Sequence, residues 1–561
     1  MSGFVPAEND WYATVRDYTL RLVHVRGISP ALEEQRVAEE ALRILREDGL
    51  DTLYTESGLD PIEGDLYGRH NAYAFLRGSS QKTLVLLGHI DTVGTEDYGP
   101  LEAIALDPQA LAGRLDELAR LAPEIVPDLE AHPDDWMFGR GAIDMKCGVA
   151  ANLAIMRRLA QQSRSGPLPL SIVVLATPDE ENESAGVLQG VRFLLRLRER
   201  YGLDYLGAIN TDYTTALYPG DPHRYIYTGS IGKLLPSFLV VGRESHVGDP
   251  FDGADANLLA AELIRDLSMC DDLCDESNGH LTPPPVTLHA RDLKTHYDVQ
   301  LPFQAYFYLN ILTYKSDPGE LLTRLRHRSE AALARVLQRI DEAQRRWLLA
   351  NGERERASSV CPRSGAVVTY ADLYTDTCQR LGEDRVRDEL HTEWDRWPAD
   401  QDKRERGLHL ARRLWALSGR QGPAVVLFYS PPYYPQVSTS VSSLRTAVRA
   451  VATAHPELQL VEDEYFPFLS DMSYLRLDAE TDTAALVANM PVWLTDDAAQ
   501  RPGAYALPLD EIRRLNLPVV NLGPYGKGAH QRGERALMSY SFGVLPGLLY
   551  ETIEQLTALA T

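Results

Sequence analysis

Residues 83–92, TLVLLGHIDT, run as five residues without a charge and then stop at a glycine, a histidine and an aspartate. A near-continuous apolar run of strand length is the pattern of a strand buried on both faces between helix layers. Residues 170–176 (LSIVVLA) and 205–209 (YLGAI) repeat it. Between these runs lie stretches with apolar residues at helical spacing, at 11–25 and 31–48, the second closed by Gly49, where a helix C-cap is expected. Strand runs alternating with helices predict an α/β fold around a central sheet. Active sites in such sheets gather beyond the carboxyl ends of the strands, and chemistry-bearing residues stand where these runs end: His89 and Asp91, Glu180 and Glu181 in VVLATPDEEN, and Asp212 in GAINTDY.

Two further segments belong to the same set. Asp144 lies in GRGAIDMKCG, a glycine turn leading into a helix pattern, and His530 closes VVNLGPYGKGAH. Imidazole and carboxylate donors without thiolates suit catalytic zinc or a related divalent ion. A pair of such ions about 3.5–4 Å apart needs a bridging carboxylate with terminal donors on either side, and Asp144 is the natural bridge. His89 and Asp91 are two apart, so at an extended strand end they share a face and the carboxylate can orient the imidazole. Neighbouring Glu180 and Glu181 must point differently, which lets one bind metal while the other accepts a proton. Each piece alone has a plainer reading: Asp179 to Glu181 can open a helix, Asp212 can be a turn residue, and His530 a loop histidine. The joint pattern of order, context and donor type favours the metal site.

Composition narrows the function classes. With 561 residues the chain exceeds one ordinary core. A net charge of -24 argues against nucleic acid and anionic membrane as partners. Five cysteines, Cys147, Cys270, Cys274, Cys361 and Cys378, form no paired CxxC motif, and no stretch approaches a membrane span or a signal peptide, so a cytoplasmic protein is expected. From about residue 220 the texture changes to a small α+β pattern: a long strand at 225–241, a helix at 254–267, strands at 286–290 and 304–313, a long helix at 318–348, and a last strand near 366–370. Residues 391–407, HTEWDRWPADQDKRERG, read as a solvated helical connection, after which βα-like units resume with AVVLFYS, ALVANMPV and LPVVNLGP. The expected domains are therefore 1–214, 215–370 and 371–561.

The segments GHIDTV, GRGAIDMKCGVA, TPDEEN, NTDY and GPYGKGAHQRGE together resemble, in order and spacing, the dinuclear zinc metallopeptidase family of glutamate carboxypeptidase, aminoacylase-1 and succinyl-diaminopimelate desuccinylase. The resemblance implies a catalytic domain with a mixed central sheet flanked by helices and an inserted smaller α+β lid domain. It implies two divalent ions, zinc first and manganese or cobalt as substitutes, held by His89, Glu181, Asp212 and His530 with Asp144 bridging, Glu180 as general base and Asp91 steering His89. It also implies a cis peptide bond between Asp144 and Met145. ESHVGDPFDGADAN is similar to the family's lid motif, which implies that His246 helps to stabilise the oxyanion, reaching it by domain closure or from a partner chain in a homodimer through the lid domain. Extra length at about 371–440 and from about 98 to 135 looks most like the arginine-utilisation branch called RocB. The expected substrate is a small peptide or N-acyl amino acid, with carboxypeptidase, aminopeptidase and deacylase roles all open and Arg243, Arg291 and Asn310 as candidates for gripping a substrate carboxylate. The rival class is a metal-binding regulatory protein of the same fold without turnover.

Overall fold

Burial decides which runs become strands. Lys82–His89 has seven of its eight residues buried and Ser171–Thr177 all of them, and each fully buried Leu or Val side chain contributes roughly 1.5–3 kcal/mol. The computed structural model describes residues 10–351, 364–479, 481–493, 501 and 503–560; Cys361 lies outside them. The chain divides into two compact units, Met1–Ile231 with Val437–Asp478 and Pro508–Thr561, and Gly232–Gln436 with Ala479–Leu507.

The first unit is built on an eight-stranded mixed sheet, in the order Glu56–Pro61, His70–Leu76, Ser171–Thr177, Lys82–His89, Asp204–Asn210, Val519–Asn521, Arg224–Tyr227, Leu460–Asp463. Lys82–His89 runs parallel to both its neighbours, and Val519–Asn521 runs parallel to Asp204–Asn210. Four consecutive parallel strands thus deliver their carboxyl ends to one edge. Helices Asp10–His24, Cys147–Ser163 and Leu545–Ala560 share the apolar core with these strands. A second, three-stranded sheet joins Trp136–Phe138, Arg535–Leu537 and Gly526–Lys527, so the turn that carries His530 is clamped at both ends.

The second unit has a five-stranded sheet in the order Val286–Asp292, Gln304–Thr313, Gly232–Val241, Ala424–Tyr434, Ala366–Thr369. Its long helix, Pro318–Ala350, starts as the sequence dictates: Pro318 needs no N–H partner in the first turn, and the Asp317 side chain caps by accepting from Glu320 N at 2.8 Å. This helix packs on Ala256–Leu267.

The borders depart from the expected 1–214, 215–370 and 371–561. Ala424–Tyr434, read as the first strand of resumed βα units, lies in the second unit's sheet, antiparallel to Gly232–Val241 and parallel to Ala366–Thr369. An apolar strand pattern does not say which sheet it joins. The ALVANMPV segment is also part of the second unit and contributes the end of helix Thr483–Ala488 instead of a strand. The stretch at 225–241 is three strands, Arg224–Tyr227, Gly229–Ser230 and Gly232–Val241, and the glycines that open the second and third sit where a Cβ would meet backbone within 3 Å. The charged run at 391–407 spans helices Glu383–Trp394 and Lys403–Ser418 and buries Trp394 and Arg406.

Candidate metal centre

The parallel strand ends bring residues from four distant segments into one cluster, and a fifth segment adds Asp144. Asp144 stands at its middle. Its Oδ1 lies 3.0 Å from His89 Nε2 and its Oδ2 3.1 Å from His530 Nε2, so one carboxylate reaches an imidazole on each side. His530 Nε2 also lies 2.9 Å from Glu181 Oε1. The donor atoms of His89, Asp144 and Glu181 all fall within 4.8 Å of one another. Glu180 turns the other way on the turn that follows Ser171–Thr177, its Oε2 3.9 Å from His89 Nε2. Asp212 follows Asp204–Asn210, is buried, and has its backbone N–H held by Asn521 Oδ1 at 3.0 Å. A Cβ on Gly523 would come within 1.7 Å of the Asp212 carbonyl oxygen, so only glycine lets the 522–530 segment pass there. The peptide bond between Asp144 and Met145 is cis.

Around this cluster a layer of buried polar groups holds the donors in place. Asp91 lies 3.5 Å from His89 Nδ1, an ion-pair distance too long for a good hydrogen bond, and its two oxygens accept the backbone N–H groups of Glu180 and Glu181 at 3.1 and 3.0 Å. Asp179 and His530 both hold left-handed backbone, at φ 75° and 61°, which side-chain partners must stabilise in non-glycine residues. Asp179 accepts from Arg69 Nη1 at 2.5 Å and from Ala185 N at 3.0 Å, while Arg69 also pairs with Glu34 and Asp65. Glu534 pairs with Arg140 at 2.7 Å and accepts from the backbone of Ile143 at 3.3 Å, fixing the turn before Asp144. The sequence reading noted Glu534 only through its spacing to His530; Glu34, Arg69 and Asp471 escaped it, since a lone charged residue in a helix, strand edge or loop carries no local signal.

The electrostatics report unbalanced negative charge. Burial pushes the Glu180 carboxyl well up, the charge of His89 pulls the other way, and Glu181 and Asp471 push further. Burial and the neighbouring Asp144 raise Glu181, and the same two causes push Asp212 up to about 7. Asp144 is held low despite its burial, by hydrogen bonds to His530 and His89. His530, about half exposed, is pushed up to about 11 by its hydrogen bonds to Asp144 and Glu181. Burial alone would lower His89, but Asp144 and Asp91 hold it well above the usual imidazole range. Among the described residues no lysine or arginine pairs with Asp144, Glu180, Glu181 or Asp212. Crowded buried carboxylates and imidazoles of this kind fit divalent cations, which supply the missing positive charge.

His246 belongs to the second unit. It is exposed on the 243–249 turn, and its Nδ1 accepts from Gly248 N at 3.0 Å, which leaves Nε2 as the donor. Arg291, in the same unit, is paired with Glu405. No described helix is long and apolar enough to cross a membrane.

Comparison with known proteins places this geometry in a family. The protein YqjN of Bacillus subtilis (strain 168) is 34% identical over 544 residues, covering 95% of both chains. Protein RocB of the same organism is 34% identical over 507 residues, covering 88% of this chain and 85% of its own. A succinyl-diaminopimelate desuccinylase of Methylibium petroleiphilum is 32% identical over 243 residues, 43% of this chain and 53% of that one. Among solved structures, the aminopeptidase PepT from Bacillus cereus shares the fold with a TM-score of 0.53 at 11% identity, covering 97% of this chain and 98% of its own. The profile of Peptidase family M20/M25/M40 matches residues 85–492. The chain therefore belongs to the peptidase family M20/M25/M40.

Proposed function

We propose that the protein is a divalent-metal-dependent hydrolase that cleaves the amide bond of a small peptide or N-acyl amino acid. The observation that carries this reading is Asp144, whose two oxygens face His89 and His530 on opposite sides while Glu180 stays clear of the bridge. His89, Glu181, Asp212 and His530 are the terminal donors in this reading and Asp144 the bridge. Two divalent ions there would polarise the scissile carbonyl and acidify a bound water. Zinc suits the donor set, with manganese or cobalt able to substitute.

The remaining steps fall to the chain's own side chains. Glu180 takes the proton from the attacking water and returns it to the leaving nitrogen. Asp91 is the carboxylate that faces His89 Nδ1, at 3.5 Å, and favours the tautomer that leaves Nε2 free to donate its lone pair; through the N–H groups of Glu180 and Glu181 it keeps base and ligand apart. His246 meets charge that develops on the carbonyl oxygen. The similarity to a protein named succinyl-diaminopimelate desuccinylase supports an acylated or peptidic amino acid as substrate, and amino-acid catabolism, arginine use included, is the setting this reading implies.

Metal analysis of the dialysed protein, together with turnover of a panel of dipeptides and N-acyl amino acids, tests it. About two divalent ions per chain and chelator-sensitive hydrolysis are expected. Full activity in a metal-free preparation would overturn the mechanism, and metal binding without turnover on any panel member would favour a regulatory protein.

A further inference from the structure

Asp471 is a buried carboxylate beside the metal centre that no step above uses. It opens the Asp471–Leu475 turn and is 2 % exposed. Its Oδ2 accepts from Thr177 Oγ1 at 2.9 Å, and the Ser184 hydroxyl also hydrogen-bonds its carboxyl. Thr177 and Ser184 are the two ends of the short turn that carries Glu180 and Glu181, so Asp471 is tied to that turn from both sides. Its Oδ1 is buried and has no hydrogen-bond partner. Its charge acts on Glu180, and it lies within the field of His89 and Asp91.

The charge balance makes this residue conspicuous. Asp144, Glu180, Glu181 and Asp212 together match the charge of two divalent ions, and Asp91 is satisfied by two backbone N–H groups. Asp471 is a further charge whose hydrogen-bond partners are also neutral, and unlike Asp91 it has one oxygen with no donor. A buried carboxylate oxygen without a donor is costly, and a donor that arrives with the substrate removes that cost only when the substrate binds. Because Asp471 neighbours the base, the arriving cation must sit close to the reacting carbonyl. An α-ammonium group is one carbon from the scissile carbonyl of an aminoacyl substrate. An N-acylated substrate would bring a neutral amide there instead.

We propose that Asp471 binds the free α-ammonium group of the substrate, so that small peptides with an unblocked N-terminus are preferred over N-acyl amino acids. This rests on the hydrolase reading above and narrows its substrate class. Alternative occupants of the same oxygen, such as a structural proton, predict no discrimination at the substrate's nitrogen.

The test compares L-alanyl-L-alanine with N-acetyl-L-alanyl-L-alanine on the metal-loaded protein and on Asp471→Asn. The wild type is expected to favour the free amine by at least about 10²-fold in kcat/KM, since an acceptor built for a donor rejects an analogue that lacks it. Asp471→Asn should collapse that ratio at least about tenfold, mainly through KM of the free-amine peptide, with metal content retained. An unchanged ratio, or a wild type that prefers the acetylated peptide, overturns the proposal. Calorimetric binding of L-alaninol against N-acetyl-L-alaninol gives a readout that needs neither turnover nor a folded variant: binding of the amine alone supports the subsite, and equal binding or none overturns it. If the metal-loaded protein cleaves neither peptide nor any member of the dipeptide and N-acyl amino acid panel yet binds L-alaninol selectively, the hydrolase reading fails and the amine subsite stands.

Discussion

The carboxylate of Glu34 accepts the backbone N–H of Asp179 at 2.8 Å across 145 residues of sequence. A helix residue near the start of the chain thereby grips the turn that presents Glu180 and Glu181, and Arg69 bridges the two carboxylates. Burial, with the charge of Asp91 behind it, pushes Glu34 up to about 8, while Arg69 pulls the other way.

Arg69→Met should therefore strand three carboxylates with buried side chains, Glu34, Asp65 and Asp179. Breaking a buried ion pair by removing one partner costs about 3–5 kcal/mol, to be read from urea denaturation at neutral pH. Arg69→Lys should recover little of it, since a single ammonium cannot reproduce the guanidinium's simultaneous contacts to Glu34, Asp65 and Asp179. Native stability in Arg69→Met would contradict the network.

Glu180→Gln should leave metal content nearly intact and lower kcat by at least about 10²-fold, the lower end for general acid–base catalysis. His530→Ala should instead lower metal content, because His530 Nε2 faces both Asp144 and Glu181. Elemental analysis beside steady-state kinetics separates the two; the opposite pattern would exchange their roles.

For His246→Ala, a drop in kcat of about 10²–10³-fold with metal affinity spared is expected of an oxyanion donor. Mixing this variant with Glu180→Gln chains distinguishes the routes: recovered activity means that His246 acts across a homodimer, and none in confirmed mixed dimers means that it acts within its own chain. Full activity of His246→Ala on the true substrate removes the role altogether.

His409 supplies a pH dependence away from the metal centre. Its ring stacks on Trp397 at 3.8 Å between centroids, and burial, with Arg412 and Arg291 nearby, holds its pKa down at about 4 against an ordinary 6.5. The unfolded chain takes up a proton that the folded chain refuses, so this contribution to stability is present above about pH 6.5 and is lost as pH falls toward 4. Urea midpoints measured from pH 7 to pH 5 should fall less steeply in His409→Phe, which keeps the stack without titrating. An identical slope would dismiss His409 as the cause.

That His89, Glu181 and Asp212 would lie together was legible because each follows an apolar strand run and a parallel sheet sends strand ends to one edge; their separate roles came from the family resemblance. Asp144 and His530 were legible through glycine turns, Gly141 at φ 76° and Gly528 at φ 72°. Asp471 and Arg69 were not, since what makes them matter is the absence or presence of a partner far along the chain. Nor was the destination of Ala424–Tyr434, whose apolar run suits either sheet equally.

The four parallel strands draw on residues that a ribosome makes far apart in time. Asp212 and His530 are separated by 318 residues, which at about 5–20 residues per second takes roughly 16–64 s to synthesise. Throughout that interval a nascent chain can carry His89, Asp144, Glu181 and Asp212 but lacks the imidazole that closes the cluster. Until His530 has emerged and docked, Asp144 and Glu181 lack the imidazole that faces both of them, so the cluster is completed only when nearly the whole chain has been made.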